Sequence, residues 1–203
     1  MALTQDRSPA GNSYGFTLIE LMVTLTVLAI LLSIAAPSFS NLMASNRTST
    51  QANEFITALN LARSEAVRRG QQVAVRSTGG DNNFSTGWKV FTDEDINGAS
   101  DGDIPGTVTA TDGTVIREAS AFRGTVAVKR ATRSGTAPSF TYAYDTASTD
   151  RMHLVFTSRG AIKPTAAAFF KVCDPNNSSV KGRIVQVNVV GKVTLDSISE
   201  TCP

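Results

Sequence analysis

From Phe16 to Asn46 the chain carries one charged side chain, Glu20, and the next is Arg47. The rest of the stretch is mostly Leu, Ile, Val, Ala, Met and Thr. About 20 consecutive apolar residues suffice to cross a bilayer as a helix, so this run limits what the chain can fold into more than any other feature does. A cleaved secretory signal needs a basic leader, a short apolar stretch and a small-residue cleavage site. Here the run exceeds such a stretch, and Ser33-Ile34-Ala35 and Ala36-Pro37-Ser38 match a cleavage site only in part. A plain membrane anchor fits the length but gives no reason for Glu20. A carboxylate inside an apolar span is costly, and an acid kept there points to function.

The helical pattern outlasts the apolar run. Ala52, Phe55, Ile56, Leu59, Ala62 and Ala66 recur at the spacing of one helix face. Arg68 and Arg69 suit a helix C-terminus, and Gly70 supplies the stop. The spacing therefore predicts one helix from Thr17 to Arg69, about 80 Å long at 1.5 Å per residue. Its first half would be apolar all round, and its second would lay one stripe on a sheet. Pro37 lacks an N–H and is expected to bend or loosen the helix between the halves. The polar stretch Ser45–Thr50 is a second weak point.

Beyond Gln71 the helical period disappears. Short β-branched or alternating runs follow, punctuated by Gly, Asp, Asn and Ser. Predicted strands are Gln72–Ser77, Trp88–Thr92, Thr114–Glu118, Thr125–Lys129, Phe140–Tyr144, His153–Thr157, Ala168–Cys173, Arg183–Val190 and Lys192–Asp196. The expected fold class is α+β: a long N-terminal helix packed on an antiparallel, two-sheet β-domain. The chain has 203 residues, which suits one such domain plus an appendage. The net charge of +2 is too small to imply a polyanionic partner by itself. With a single histidine, His153, neither a histidine-rich metal site nor a histidine-based triad is expected. His153 sits in a strand-like run, and phosphate loops and C-x-x-C pairs are absent. The chain is not expected to be an enzyme or to need a cofactor.

The segment Gly15-Phe16-Thr17-Leu18-Ile19-Glu20 resembles the signature of type IV prepilins and the pseudopilins of type II secretion. That resemblance implies a leader, residues 1–15, removed by a prepilin peptidase that cuts after Gly15, followed by methylation of the new N-terminal Phe16. Residues 16–39 would then be the transmembrane and filament-core helix, 40–70 the amphipathic helix, and 71–203 a β-rich periplasmic domain. Pro37 falls where the family carries a kink-forming proline. The implied setting is the inner membrane, crossed once and in contact with lipid, until the subunit joins other minor and major pilins or pseudopilins. Glu20 would lie close to the amino group of Phe16 on the same or a neighbouring subunit. Two unit charges about 4 Å apart attract by about 4 kcal/mol at an effective dielectric near 20. Desolvation takes back part of that, so the pair rewards one axial register. Leu61–Val67 and the pattern from Gly87 to Asp101 are similar to H-type pseudopilins and related U-type minor pilins. The resemblance implies a minor pilin that primes type IV pilus assembly at or near the tip. The alternatives are an H-type pseudopilin and a T-type, DNA-uptake minor pilin.

Three further groups of residues carry possible chemistry. Cys173 and Cys202 can form one disulfide outside the cytoplasm; closing a loop of about 30 residues predicts about 3–4 kcal/mol of stabilisation. Two free buried thiols are the alternative. Asp93, Asp95, Asn97, Gly98 and Asp101 occupy positions of a calcium loop, but its final acidic position is Ile104; an acidic hydrophilic turn is the preferred reading over a calcium site. Among the basic residues Lys163, Lys171, Lys181, Arg183 and Lys192, the last three are the candidates for touching DNA phosphates. The basic element of DNA-uptake pilins is incomplete at Gly191-Lys192-Val193-Thr194, which argues against DNA as a partner. Phe169 and Phe170 are expected in the core.

Overall fold

The computed structural model describes residues 15–79, 83–93, 114–122, 125–136, 139–144, 153–163, 166–177 and 179–201. It divides into two compact units, Met1–Ser40 and Asn41–Pro203, and the division falls inside a helix. That helix, α1, spans Leu18–Arg69. It continues through position 37 and through residues 45–50, where the sequence predicted weak points. At the second of these, the Thr48 hydroxyl donates to the Ala44 carbonyl at 3.0 Å, so the polar side chain is satisfied by its own helix. Gly70, at φ 66, provides the left-handed residue that ends α1.

Among the described residues of the second unit, ten strands form two five-stranded antiparallel sheets. They are β1 (Gln72–Ser77), β2 (Gly87–Asp93), β3 (Val115–Ser120), β4 (Ala127–Thr136), β5 (Ser139–Tyr144), β6 (His153–Phe156), β7 (Ile162–Lys163), β8 (Ala168–Cys173), β9 (Lys181–Val187) and β10 (Val193–Thr201). The first sheet runs β3-β2-β1-β6-β7 and the second β10-β9-β8-β4-β5. Strands β1 and β8 match the predicted spans to the residue. The predicted Arg183–Val190 strand overshoots, because Asn188–Gly191 form the turn into β10. The two-residue β7 was not anticipated.

The helix stripe covers both sheets rather than one. Phe55 is fully buried, and its ring lies 5.6 Å from Trp88 on β2 and 5.0 Å from Phe170 on β8. Phe84, in a 3-10 turn at Phe84–Thr86, completes the cluster at 5.3 Å from both Phe55 and Phe170. Edge-to-face packing of this kind adds to the burial of each ring. Ala52, Ala58, Leu59, Ala62 and Ala66 are also fully buried, and the small side chains let the helix lie close to the strands.

One side chain of α1 ties the two sheets together. Arg63 donates through Nε to the Gly160 carbonyl at 3.2 Å and through Nη2 to the Val190 carbonyl at 3.1 Å. Gly160 belongs to the turn between β6 and β7, and Val190 to the turn between β9 and β10. Ile162 N–H adds a backbone bond to Val189 across the same junction, 3.1 Å long. Gly191 has φ 78, and a Cβ there would run into the Gly160 carbonyl oxygen. Glycine at this position meets both the conformational and the steric demand.

Candidate functional site

The described N-terminal segment begins with Gly15, Phe16 and Thr17 in non-helical conformation. Thr17 caps α1: its Oγ1 accepts from the Glu20 N–H at 3.3 Å, and Leu21 N–H donates to the Thr17 carbonyl at 3.1 Å. The S/T-x-x-E spacing is that of a capping box, a signal present in the sequence but not extracted from it. Glu20 therefore sits in the first turn, where the helix dipole favours a carboxylate. This is a local reason for an acid at position 20, beside any role in pairing with another group.

Behind that turn the described residues of the first unit expose mostly apolar side chains. Leu18, Ile19, Leu21, Met22, Val23, Leu25, Val27, Leu28, Ile30, Leu31, Leu32 and Ile34 are all exposed, with no side turned inward, and Phe16 is 85% exposed. A helix apolar all round requires a membrane or other helices around it, and this one is long and apolar enough to span a bilayer. Three of its hydroxyls are satisfied by the helix backbone. Thr24 donates to Leu21, Thr26 to Met22 and Ser33 to Ile30, at 2.7–2.9 Å. Backbone-satisfied hydroxyls are compatible with lipid, which leaves Glu20 as the one charge from Phe16 to Asn46.

The basic residues considered for DNA contact are not gathered. Lys181 opens β9 and Lys192 follows its far end, so a strand of about 20 Å separates them. Arg183 lies between and donates to Ser49 Oγ on α1 at 3.4 Å. Lys171, counted with them, is buried and donates to the Tyr142 carbonyl at 3.2 Å. Cys173 is fully buried and disulfide-bonded; the other cysteine, Cys202, lies outside the described residues. Asp93 ends β2, and Asp95, Asn97, Gly98 and Asp101 also lie outside them. Among the described residues no cluster of His, Cys, Asp and Glu could hold a metal. Phe170 is in the main core, as expected, and Phe169 in a smaller cluster with Ala131 and Ile184.

Two features escaped the sequence reading. Nothing in the spacing of Arg63 marked its two carbonyl partners. Glu65, two residues on, accepts from Arg68 Nη2 at 2.6 Å and Arg69 Nε at 2.7 Å. Hydrogen bonds from Arg68 first, then Arg69, hold its carboxyl below the usual range, and Glu65 in turn raises Arg68. These pairs also place opposite charges on the last turn of α1.

The family model of the Type II transport protein GspH matches residues 51–191, and the prokaryotic N-terminal methylation motif matches residues 11–36. Two fimbrial proteins of Pseudomonas aeruginosa are each 31% identical over 86 residues, covering 42% of this chain and 55% of theirs. The chain thus spans about half the length of the curated relatives it matches. The crystal structure of the type IV minor pilin FimU of Pseudomonas aeruginosa superposes with a TM-score of 0.53 at 19% identity, covering 78% of this chain and 96% of that one. The minor pseudopilin EpsH of Vibrio cholerae gives 0.47 at 14% identity, covering 76% and 99%. At these identities the solved structures bear on fold alone, and the FimU match reaches a shared fold. The match to 51–191, joined to a methylation motif on an all-apolar helix, places the chain in the Type II transport protein GspH family of membrane-anchored, pilin-type subunits.

Proposed function

We propose that the chain is a minor pilin of a type IV pilus, cut after Gly15, methylated on Phe16, and primed to start assembly at or near the pilus tip. The observation that carries the reading is the first half of α1. It exposes apolar side chains on every side and holds one carboxylate in its first turn. In the inner membrane lipid covers that surface; in a filament the same helices of neighbouring minor and major subunits replace lipid. Glu20 then rewards one register through the Phe16 amine. The β-domain, periplasmic before assembly, supplies partner specificity. The subunit is a substrate of the peptidase and methyltransferase rather than a catalyst, and it takes no cofactor. Fimbrial relatives and a minor-pilin fold support the pilus.

The family match itself favours a second reading, a GspH-type pseudopilin of type II secretion. A clean deletion strain separates the two. Lost pili and twitching with normal exoenzyme secretion are expected for the pilus reading. Normal pili with enzymes trapped in the periplasm would replace it with the secretion reading.

A further inference from the structure

Lys129, the buried Ala131 and Arg133 share one face of β4, opposite the face on which Arg130 lies 5.2 Å from the core ring of Phe170. Three cations, Lys129, Arg133 and Lys171, meet on that face, and among the described residues no acid pairs with them. Arg133 is exposed, and its guanidinium stacks between two rings, 4.5 Å from the Phe140 centroid and 4.9 Å from that of Phe169. Among the described residues its N–H groups have no hydrogen-bond partner and no carboxylate. Lys129 stands directly opposite Lys171 in the β4–β8 register. Both ammonium groups lie near the Tyr144 ring, at 5.4 and 5.5 Å from its centroid. Lys171 is only 5% exposed, and its one hydrogen bond among the described residues goes to a neutral carbonyl.

Like charges directly opposite each other in a sheet are destabilising, and a buried cation without a counter-ion is costly. The face is built as if an anion completes it. The rings do not offer a stacking platform for bases, because the cations already occupy ring faces. What remains outward is donor chemistry: the edge of a guanidinium fixed by two rings, and the Lys129 ammonium. A fixed guanidinium fork matches a carboxylate in bidentate fashion, with little ordering left to do on binding.

We infer that this face is a carboxylate-binding surface centred on Arg133, with Lys129 as its second point, and that it receives an acidic, extended segment of a neighbouring pilin-type subunit. This rests on the assembly reading above, which surrounds the chain with other subunits. Arg133 and Lys129 are four residues apart on one strand, about 13 Å. The segment would therefore present two carboxylates four residues apart in extended conformation. Lys171 takes part through its field rather than by contact, since it is covered.

The full chain in detergent micelles, titrated by fluorescence anisotropy, tests this with four probes: an extended peptide with Glu at its first and fifth positions, its Gln counterpart, inorganic phosphate, and a single-stranded oligonucleotide. The Glu peptide is expected to bind, weakening as salt rises, and the Gln peptide is not. Arg133→Lys, which keeps the charge but loses the fork, should weaken binding about tenfold, and Lys129→Gln should weaken it less. Unfolding midpoints matching wild type would show that the variants are folded. Failure of the Glu peptide to bind wild type, equal binding by folded Arg133→Lys, or binding of the oligonucleotide or phosphate in preference to the peptide would each overturn the proposal. In cells, Arg133→Glu should lower incorporation into filaments. Full incorporation of that variant overturns the proposal while leaving the assembly reading standing. Absence of the wild-type chain from every filament removes the assembly reading, and with it the subunit named as ligand.

Discussion

The two halves of α1 are both helical, but the first is much richer in apolar residues than the second, and they end differently. Between Leu18 and Ile34 the large apolar side chains stay exposed; between Ala52 and Ala66 the apolar stripe is fully buried. The difference lies in how many polar residues each half carries and where they fall. The second half interleaves Asn53, Glu54, Thr57, Asn60 and Ser64 with its stripe, so one face is apolar and the chain's own strands can cover it. The first half has no polar face, and no element of one small domain can surround a helix. Apolar surface that a chain buries itself stabilises its fold; apolar surface that it cannot bury is committed to lipid or to other molecules.

Truncation of large side chains is the strongest way to break that comparison. Phe55→Ala removes the ring that touches Phe84, Trp88 and Phe170. It should cost about 3–5 kcal/mol, read as a drop in the urea midpoint of the β-domain. Leu28→Ala, a similar truncation in the first half, should change the same midpoint by no more than about 0.5 kcal/mol. Equal losses in the two variants would mean that the first half also supports the fold. A smaller effect, on the order of 2–4 kcal/mol, is expected for Gly191→Ala, which combines a left-handed backbone with a collision at the Gly160 carbonyl. Gly70→Ala faces open space at a similar φ and should cost only about 1–2 kcal/mol. If the two glycines prove interchangeable, the junction that Arg63 spans is looser than its hydrogen bonds imply.

Smaller still is the effect of acid on the last turn of α1. Hydrogen bonds from Arg68 and Arg69 hold the Glu65 carboxyl below the usual carboxylate range. A depressed carboxyl contributes stability that is present above the unfolded value and lost as pH falls through the lower, folded one. The difference in melting temperature between wild type and Glu65→Gln should therefore be present at neutral pH and vanish in strong acid. Because both arginines are exposed and Glu65 lies at the helix surface, the difference should be small. A difference that grows in acid would reverse the assignment.

The parts of the fold legible in the sequence were those written in local periodicity. Ala52 to Ala66 announced a stripe, and Gly70 its end. Val73-Ala74-Val75 and Phe169-Phe170 announced strands. Val189 and Val190 misled, since two β-branched residues read as strand yet sit exposed in a turn; that turn is fixed by Asn188, which accepts from Lys192 N–H through its side chain. The division of strands between sheets was not legible, because β1 pairs with β6 across a separation of about eighty residues that no local pattern records. At the candidate site Glu20 was legible from the cost of a charge in an apolar run. Arg63 and Arg133 were not, because each depends on carbonyls or rings brought from distant strands.

Glu20 gives the finest test of the contrast, because its expected effect on stability is near zero. The Thr17 cap uses the backbone N–H of Glu20, not its carboxylate. Glu20→Gln therefore keeps the cap and removes the charge, and the β-domain should unfold within about 0.5 kcal/mol of wild type. Glu20→Val should likewise leave cleavage after Gly15 intact. Both variants should nonetheless be impaired in Phe16 methylation or in incorporation into filaments, read by intact mass of the processed chain and by immunoblots of sheared filaments. If Glu20→Gln assembles normally while Glu20→Val does not, polarity at the helix start is what matters and the charge pair with Phe16 is wrong. If both assemble normally, the acid serves the local helix dipole alone, and register comes from the apolar side chains that the first half leaves exposed.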